Sequence, residues 1–130
     1  MIFSNSKIFA ILSFKCPACR KGKIFIGNAY SKNLTEMQPK CLVCGENFKR
    51  EPGFYFGAAY VSYALGVALW VALYVAMVAL SKLGIFEFSL SENPIVYIAL
   101  GIILLVLLLP IMFRLSRVMW LNTFVKFNRK

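Results

Sequence analysis

The sequence predicts a membrane protein with a small cysteine-bearing head, and three observations carry this prediction. Of the 130 residues, 60% are hydrophobic and only 15% are charged. A typical soluble domain has about 25% charged residues, so lipid is the better match for much of this chain. Two long stretches lack any charged residue, and two Cys-x-x-Cys pairs precede them. We therefore expect a four-cysteine ribbon head with short β-strands, then a two-helix transmembrane hairpin and an interfacial C-terminal tail.

The N-terminal segment, residues 1–14, contains a short apolar stretch bounded by Lys7 and Lys15. The stretch is too short for a signal peptide and lacks a small-residue cleavage site. Its apolar residues would share one face of a short helix: Ile8, Phe9, Ile11, Leu12 and Phe14. Such a helix either lies on the membrane surface as an interfacial segment or packs on the head, and the sequence leaves both options open.

The head, residues 15–50, holds all four cysteines of the chain: Cys16, Cys19, Cys41 and Cys44. Two Cys-x-x-Cys pairs at this separation are typical of a zinc ribbon. Four thiolates complete a tetrahedral shell that leaves no open position, so the site is structural. The predicted cofactor is one structural zinc ion, and iron in the same four-thiolate site is the alternative.

Other cysteine chemistry fits less well. A thioredoxin-like redox pair needs a βαβ context, and c-type haem attachment needs a histidine, which this chain lacks. Residues 23–26 read as a short strand, Phe48 is placed to pack under the second pair, and Gly45 permits a left-handed residue after it. Cations that flank the ligands would offset the negative charge of the shell: Lys15, Arg20, Lys21 and Lys40.

Two membrane spans are predicted at residues 51–81 and 94–113, joined by an extracytoplasmic loop at 82–93. The uncharged part of the first, residues 54–81, would form a helix of about 42 Å, which exceeds the ~30 Å hydrocarbon core of a bilayer. The chain is too short to wrap two such helices inside a soluble core.

The distribution of lysine and arginine predicts the orientation. Nine precede the first span and five follow the second, whereas the loop holds only Lys82 against Glu87 and Glu92. By the positive-inside rule, both termini face the cytoplasm. This rule accounts for the scattered basic residues, so nucleic acid is not an expected partner.

The uncharged parts of the predicted spans, residues 54–81 and 94–113, contain no Asp, Glu, Lys, Arg or His, which disfavours a transporter or proton relay. The chain also lacks histidine and aspartate and has no carboxylate pair in a credible pocket, so we expect no enzymatic activity.

Small residues on the first span predict close helix association. They form two rows: Ala64, Ala68, Ala72 and Ala76, and Ala58, Ser62 and Gly66. The hairpin's own second helix can use one row, which leaves a face for a larger inner-membrane complex. That outward face would also offer hydroxyl or indole donors, although packing against lipid is the commoner role of such residues: Tyr60, Tyr63, Trp70 and Tyr74.

The tail, residues 114–130, predicts an amphipathic cytoplasmic segment along the lipid headgroups. Its basic and aromatic residues include Arg114, Arg117, Trp120 and Phe124. We expect the two arginines to bind phosphates of anionic lipid.

Several motifs in order resemble the bacterial family called domain of unknown function 983. They are Cys16-Pro-x-Cys19, Gly22-Lys23-Ile24-Phe25, Cys41-x-x-Cys44-Gly45 and the Pro52-Gly53-Phe54-Tyr55-x-Gly57-Ala58 junction. Arg20 departs from the glycine that many ribbon turns place there, and Gly22 is expected to serve the turn instead. The resemblance implies a small inner-membrane protein with a cytoplasmic zinc-binding head, from a family whose genes in some bacteria lie among those for haem-copper oxidase subunits and assembly factors.

Together these features predict a non-enzymatic accessory or assembly subunit of a larger bacterial inner-membrane complex, respiratory oxidases being one candidate. The structural zinc ribbon would be its cytoplasmic docking module. One alternative is a metal- or redox-handling assembly factor for a membrane metalloenzyme. A second is a membrane-anchored ribbon that recruits RNA or ribosomes.

Overall fold

A computed structural model describes residues 6–34, 36–50, 52–87, 89 and 91–127. These residues form three helices: α1 (Lys7–Leu12), α2 (Phe56–Lys82) and α3 (Pro94–Phe124). They fall into two compact units, one formed by the residues up to Ser62 and from Pro110 onward, the other by Tyr63–Leu109. Parts of the predicted segments 1–14 and 114–130 lie outside the described residues.

Helices α2 and α3 are long and apolar enough to cross a membrane. In the most apolar 18-residue window of each helix, only 6% of α2 and 11% of α3 is buried by the protein. A helix that is apolar on all sides and not covered by protein needs a lipid environment. The chain is therefore a membrane protein.

Within Tyr63–Leu109, the two long helices meet through aromatic side chains. The Trp70 ring packs against Tyr97 with centroids 5.3 Å apart, and the Tyr97 hydroxyl donates to the Trp70 carbonyl at 2.9 Å. A Cβ added at Gly101 would lie 2.3 Å from the Trp70 ring, so only glycine permits this approach. Trp70 thus belongs to the hairpin contact and not to the outward face on which the sequence placed it.

The two small-residue rows of α2 differ in exposure. The row of Ala64, Ala68, Ala72 and Ala76 is exposed along its whole length. In the other row Ala58 is buried, and the Ser62 hydroxyl donates to the Ser116 hydroxyl of α3 at 2.8 Å. Tyr60 and Tyr63 are also exposed. The chain therefore uses part of one row internally and leaves the other uncovered.

The head contains isolated β-bridges in place of the predicted strands. Among the described residues, Lys15 pairs with Lys23, Phe25 with Met37, and Lys40 with Asn47, each in antiparallel fashion. No continuous strand forms there, including at residues 23–26. The β-strand ribbon is thus not confirmed, because two short turns and a polar loop leave too few consecutive residues to pair.

The end of α3 completes the core of the head. Val118 and Leu121 are fully buried and cluster with Ile24, Phe48 and the buried cysteines. The Trp120 indole donates to the Phe54 carbonyl at 2.7 Å. Residues 114–124 therefore continue α3 and pack on the head. The predicted interfacial tail is wrong for this segment, because an apolar stripe that fits a membrane surface fits a protein core equally well.

Helix α1 packs on the same core through one face. Ala10 is buried, and Ile11 and Phe14 contact the core cluster. The Ser6 side chain caps the helix by accepting from the Phe9 N–H at 3.1 Å. Ile8 and Leu12, one turn apart, remain exposed. Packing on the head is therefore observed for one face of α1, and the opposite apolar face stays open.

Candidate metal centre

Two tight turns, which we call knuckles, present the cysteines in pairs. In the first, the Arg20 N–H donates to the Cys16 carbonyl at 2.7 Å, and the Cys16 N–H donates to the Gly22 carbonyl at 2.8 Å. In the second, the Gly45 N–H donates to the Cys41 carbonyl at 2.9 Å. The Lys15–Lys23 and Lys40–Asn47 bridges close the two turns. Each knuckle therefore directs both of its thiols to the same side.

The residue after the second cysteine of each knuckle adopts a left-handed conformation. Gly45 has φ of +76°, as the sequence predicts, and Arg20 has φ of +56°. A side chain at such φ costs about 1–2 kcal/mol. The expectation that Gly22 serves this turn is wrong, because Arg20 itself makes it. Gly22 is required for another reason: a Cβ there would lie 2.3 Å from the Cys41 sulfur.

The four sulfur atoms converge, and all lie within 4.8 Å of one another. Cys16 Sγ is 3.7 Å from Cys44 Sγ, and Cys19 Sγ is 3.7 Å from Cys41 Sγ. These distances are far too long for a disulfide, whose sulfurs are about 2.05 Å apart. A tetrahedral ion with metal–sulfur bonds of about 2.3 Å requires sulfurs about 3.8 Å apart. The four predicted ligands therefore fit a metal ion in a closed four-thiolate shell.

The ligands differ in accessibility and in acidity. Cys16 and Cys41 are buried, whereas Cys44 is exposed as a residue although its sulfur lies among the other three. Burial raises the pKa of the Cys16 thiol, and burial also raises that of Cys44. At Cys19 burial acts in the same direction, but donors from the backbone of Gly22 and Lys21 and from neighbouring thiols outweigh it and lower the pKa to about 7. Metal binding must therefore displace protons from Cys16 and Cys44.

Arg114 fixes the loop between the knuckles to α3. Its guanidinium donates to three backbone carbonyls, of Leu34 at 2.9 Å, Gly27 at 3.1 Å and Asn28 at 2.7 Å. The guanidinium also lies 4.8 Å from the centre of the Phe25 ring. Only 4% of Arg114 is exposed. The prediction that Arg114 binds lipid phosphate is therefore wrong, since its donors are already engaged within the head.

Sequence reasoning could not find this role for Arg114. Its acceptors are backbone carbonyls, which leave no side-chain signature at residues 27–34, and a basic residue after an apolar span is the expected pattern for a lipid contact. Its only distinguishing signal is its position, immediately after the uncharged residues 93–113.

The helices and the thiol cluster define a membrane protein with a metal-binding head. The family model described as "Protein of unknown function (DUF983)" matches residues 31–124. The chain therefore belongs to this family, which confirms the resemblance drawn from its motifs. The matched region includes Cys41 and Cys44 and begins after the first knuckle. No curated protein and no solved structure matches the chain.

Proposed function

We propose that the thiol cluster holds one structural zinc ion. Four thiolates in tetrahedral geometry suit zinc or iron, and zinc is the usual ion in a closed site of this kind. The head has a small core for its size, so metal binding would supply much of its folding free energy.

We propose further that the protein is a non-enzymatic accessory or assembly subunit of a larger bacterial inner-membrane complex, with the head as a cytoplasmic docking module. The observation that carries this proposal is the alanine row on α2, which is uncovered from Ala64 to Ala76 while α2 and α3 contact each other elsewhere. Small residues allow another transmembrane helix to approach closely. The head adds apolar Leu42 and Val43, both exposed at the tip of the second knuckle.

The positive-inside distribution supports placing both termini in the cytoplasm. Reduced thiols are stable in that compartment, which favours metal binding over disulfides. In this orientation a membrane-impermeant thiol reagent should label the metal-stripped protein in inverted vesicles and not in intact spheroplasts.

Co-purification from native membranes tests the subunit proposal. Mild detergent extraction of the tagged chain should recover a membrane partner in fixed proportion. With an Ala68→Leu/Ala72→Leu variant, the amount of partner recovered should fall at least about tenfold. The matched control is Val67→Leu/Val71→Leu, which enlarges exposed residues outside the row. Equal recovery by both variants, or recovery of the chain alone, contradicts the proposal.

The exposure of Cys44 favours one alternative, a metal-handling assembly factor. An incoming thiol could attack the ion from the Cys44 side, whereas the other ligands are less accessible. The two functions differ in exchange rate. A structural ion should resist a mild chelator for hours and the head should unfold without it, whereas a delivered ion should exchange within minutes with the fold intact.

A further inference from the structure

A cavity of about 250 Å³ lies against the first knuckle, and the metal centre does not use it. It belongs to the unit that contains the head, where the knuckle, the start of α1 and the end of α3 meet. The residues that line it include Lys7, Pro17, Arg20, Asn122, Lys126 and Phe127.

Three cations surround this cavity, and none of the described residues that line it is acidic. Lys7, Arg20 and Lys126 come from distant parts of the chain and are brought together only by the fold. Like charges that share a cavity repel one another, and an anion placed among them removes that repulsion. The charge of the described residues that line the cavity therefore favours a negatively charged ligand.

Arg20 supplies a second, independent observation. It occupies a left-handed position at φ +56°, whereas the equivalent residue of the second knuckle is Gly45. Backbone strain retained at one of two like-built turns points to a use for the side chain. The central carbon of its guanidinium lies over the Phe127 ring, 4.1 Å from the ring centre. Its N–H groups lie at the edge of the plane, in the fork geometry that matches two oxygens of a phosphate.

Asn122 adds a neutral donor to the cavity wall. The residue is only 8% exposed, and its Nδ2 donates to the Val118 carbonyl at 2.9 Å. A carboxamide nitrogen carries two hydrogens, so the same atom has another N–H to offer. Charged and neutral donors on one small cavity are the arrangement of a phosphate site.

We propose that this cavity binds a phosphate group, supplied either by a lipid headgroup or by a soluble phosphate compound. The site is distinct from the thiol cluster and does not depend on the proposed docking function.

Binding of inorganic phosphate tests the proposal on the full chain, loaded with zinc and held in phosphatidylcholine nanodiscs. At low salt, radiolabelled phosphate should bind saturably at one equivalent. Arg20→Gly and Lys126→Ala should each weaken binding at least about tenfold. Arg20→Gly is the sharper variant, because glycine accepts the left-handed backbone and the head keeps its zinc. Lys32→Ala removes the same charge away from the cavity and should change affinity less than about twofold.

A second experiment, with phosphatidylglycerol, distinguishes a lipid headgroup from a soluble phosphate compound as the source of the phosphate group. Nanodiscs that contain phosphatidylglycerol are dissolved in detergent, and the lipid retained by the protein is counted by native mass spectrometry. One phosphatidylglycerol retained by the wild type and lost from Arg20→Gly assigns a headgroup, whereas phosphate binding without lipid retention assigns a soluble ligand. Absence of both, or equal binding by the wild type, Arg20→Gly and Lys126→Ala, overturns the proposal.

Discussion

At the scale of single residues, Gly22 and Arg114 hold the four cysteines in position. Position 22 requires glycine because the Cys41 sulfur occupies the space that a side chain would need. Position 114 requires arginine because its guanidinium donates to three carbonyls of the loop between the knuckles. Neither residue is a metal ligand, yet each determines how well the ligands keep their positions.

Gly22→Ala should weaken metal binding and destabilise the head. The added methyl overlaps Cys41 Sγ and forces the two knuckles apart, at a cost of about 1–3 kcal/mol. Competition with a chromophoric chelator measures the change as a loss of about 5- to 150-fold in zinc affinity. Gly66→Ala is the control, since a Cβ there meets nothing within 4 Å. Equal zinc affinity in both variants would contradict the role given to Gly22.

Arg114→Ala should destabilise the head by about 2–4 kcal/mol, because hydrogen bonds from a charged donor contribute more than neutral ones and water can replace only part of them. Arg114→Lys keeps the charge but not the planar fork, so its loss should be intermediate. Thermal unfolding of the zinc-loaded protein in one detergent compares the three forms. If the lysine variant were as stable as the wild type, the positive charge alone would explain the contribution of Arg114, and the hydrogen bonds to the three carbonyls would not contribute to stability.

At the scale of elements, the sequence predicted the two apolar helices and the four cysteines that converge, because both signals are local. An uncharged stretch and a Cys-x-x-Cys pair need no knowledge of distant residues. The helix bounds and the role of residues 114–124 could not be read in this way. Val118 and Leu121 are buried by Ile24 and Phe48, which lie far away in the chain. The same distance hides Arg114 and its carbonyl acceptors.

The hairpin contact gives a prediction at this scale. Gly101→Ala places a Cβ against the Trp70 ring and should separate the two helices locally, which lowers the thermal stability of the hairpin. A cost of about 1–3 kcal/mol is typical of added volume at a packed site. Ala99→Val enlarges an exposed residue of α3 and should change little. Circular dichroism during heating in detergent measures both, and indistinguishable curves would argue against the Trp70–Gly101 contact.

At the scale of the whole molecule, a metal ion bound by the four thiols would couple protonation to folding. In the metal-free head the Cys16 and Cys44 thiols have raised pKa values and are protonated at neutral pH, while Cys19, with a pKa of about 7, is half ionised. Metal-bound thiolates do not accept protons until the ion leaves, so binding lowers their effective pKa values. Stability from the metal is therefore present at neutral and higher pH and is lost as the pH falls.

Zinc binding at pH 7 should accordingly release at least about two protons per ion, those of Cys16 and Cys44, and part of a further one from Cys19. Calorimetric titration in buffers of different ionisation enthalpy measures this number. The contribution of Cys19 to this number should fall as the pH rises above 7, because that thiol is then already ionised. Release of fewer than two protons at pH 7 would mean that Cys16 or Cys44 does not ligate the ion.

The core of the head combines residues that precede both long helices with residues at the end of α3, and this has a consequence for biosynthesis. The cysteines precede both long helices in the chain, but Val118 and Leu121, which close the core beside them, lie in the last turns of α3. Both helices must be translated before that core can close. The core beside the thiols thus stays open until α3 has been made, so metal binding that depends on this core would follow the synthesis of both helices.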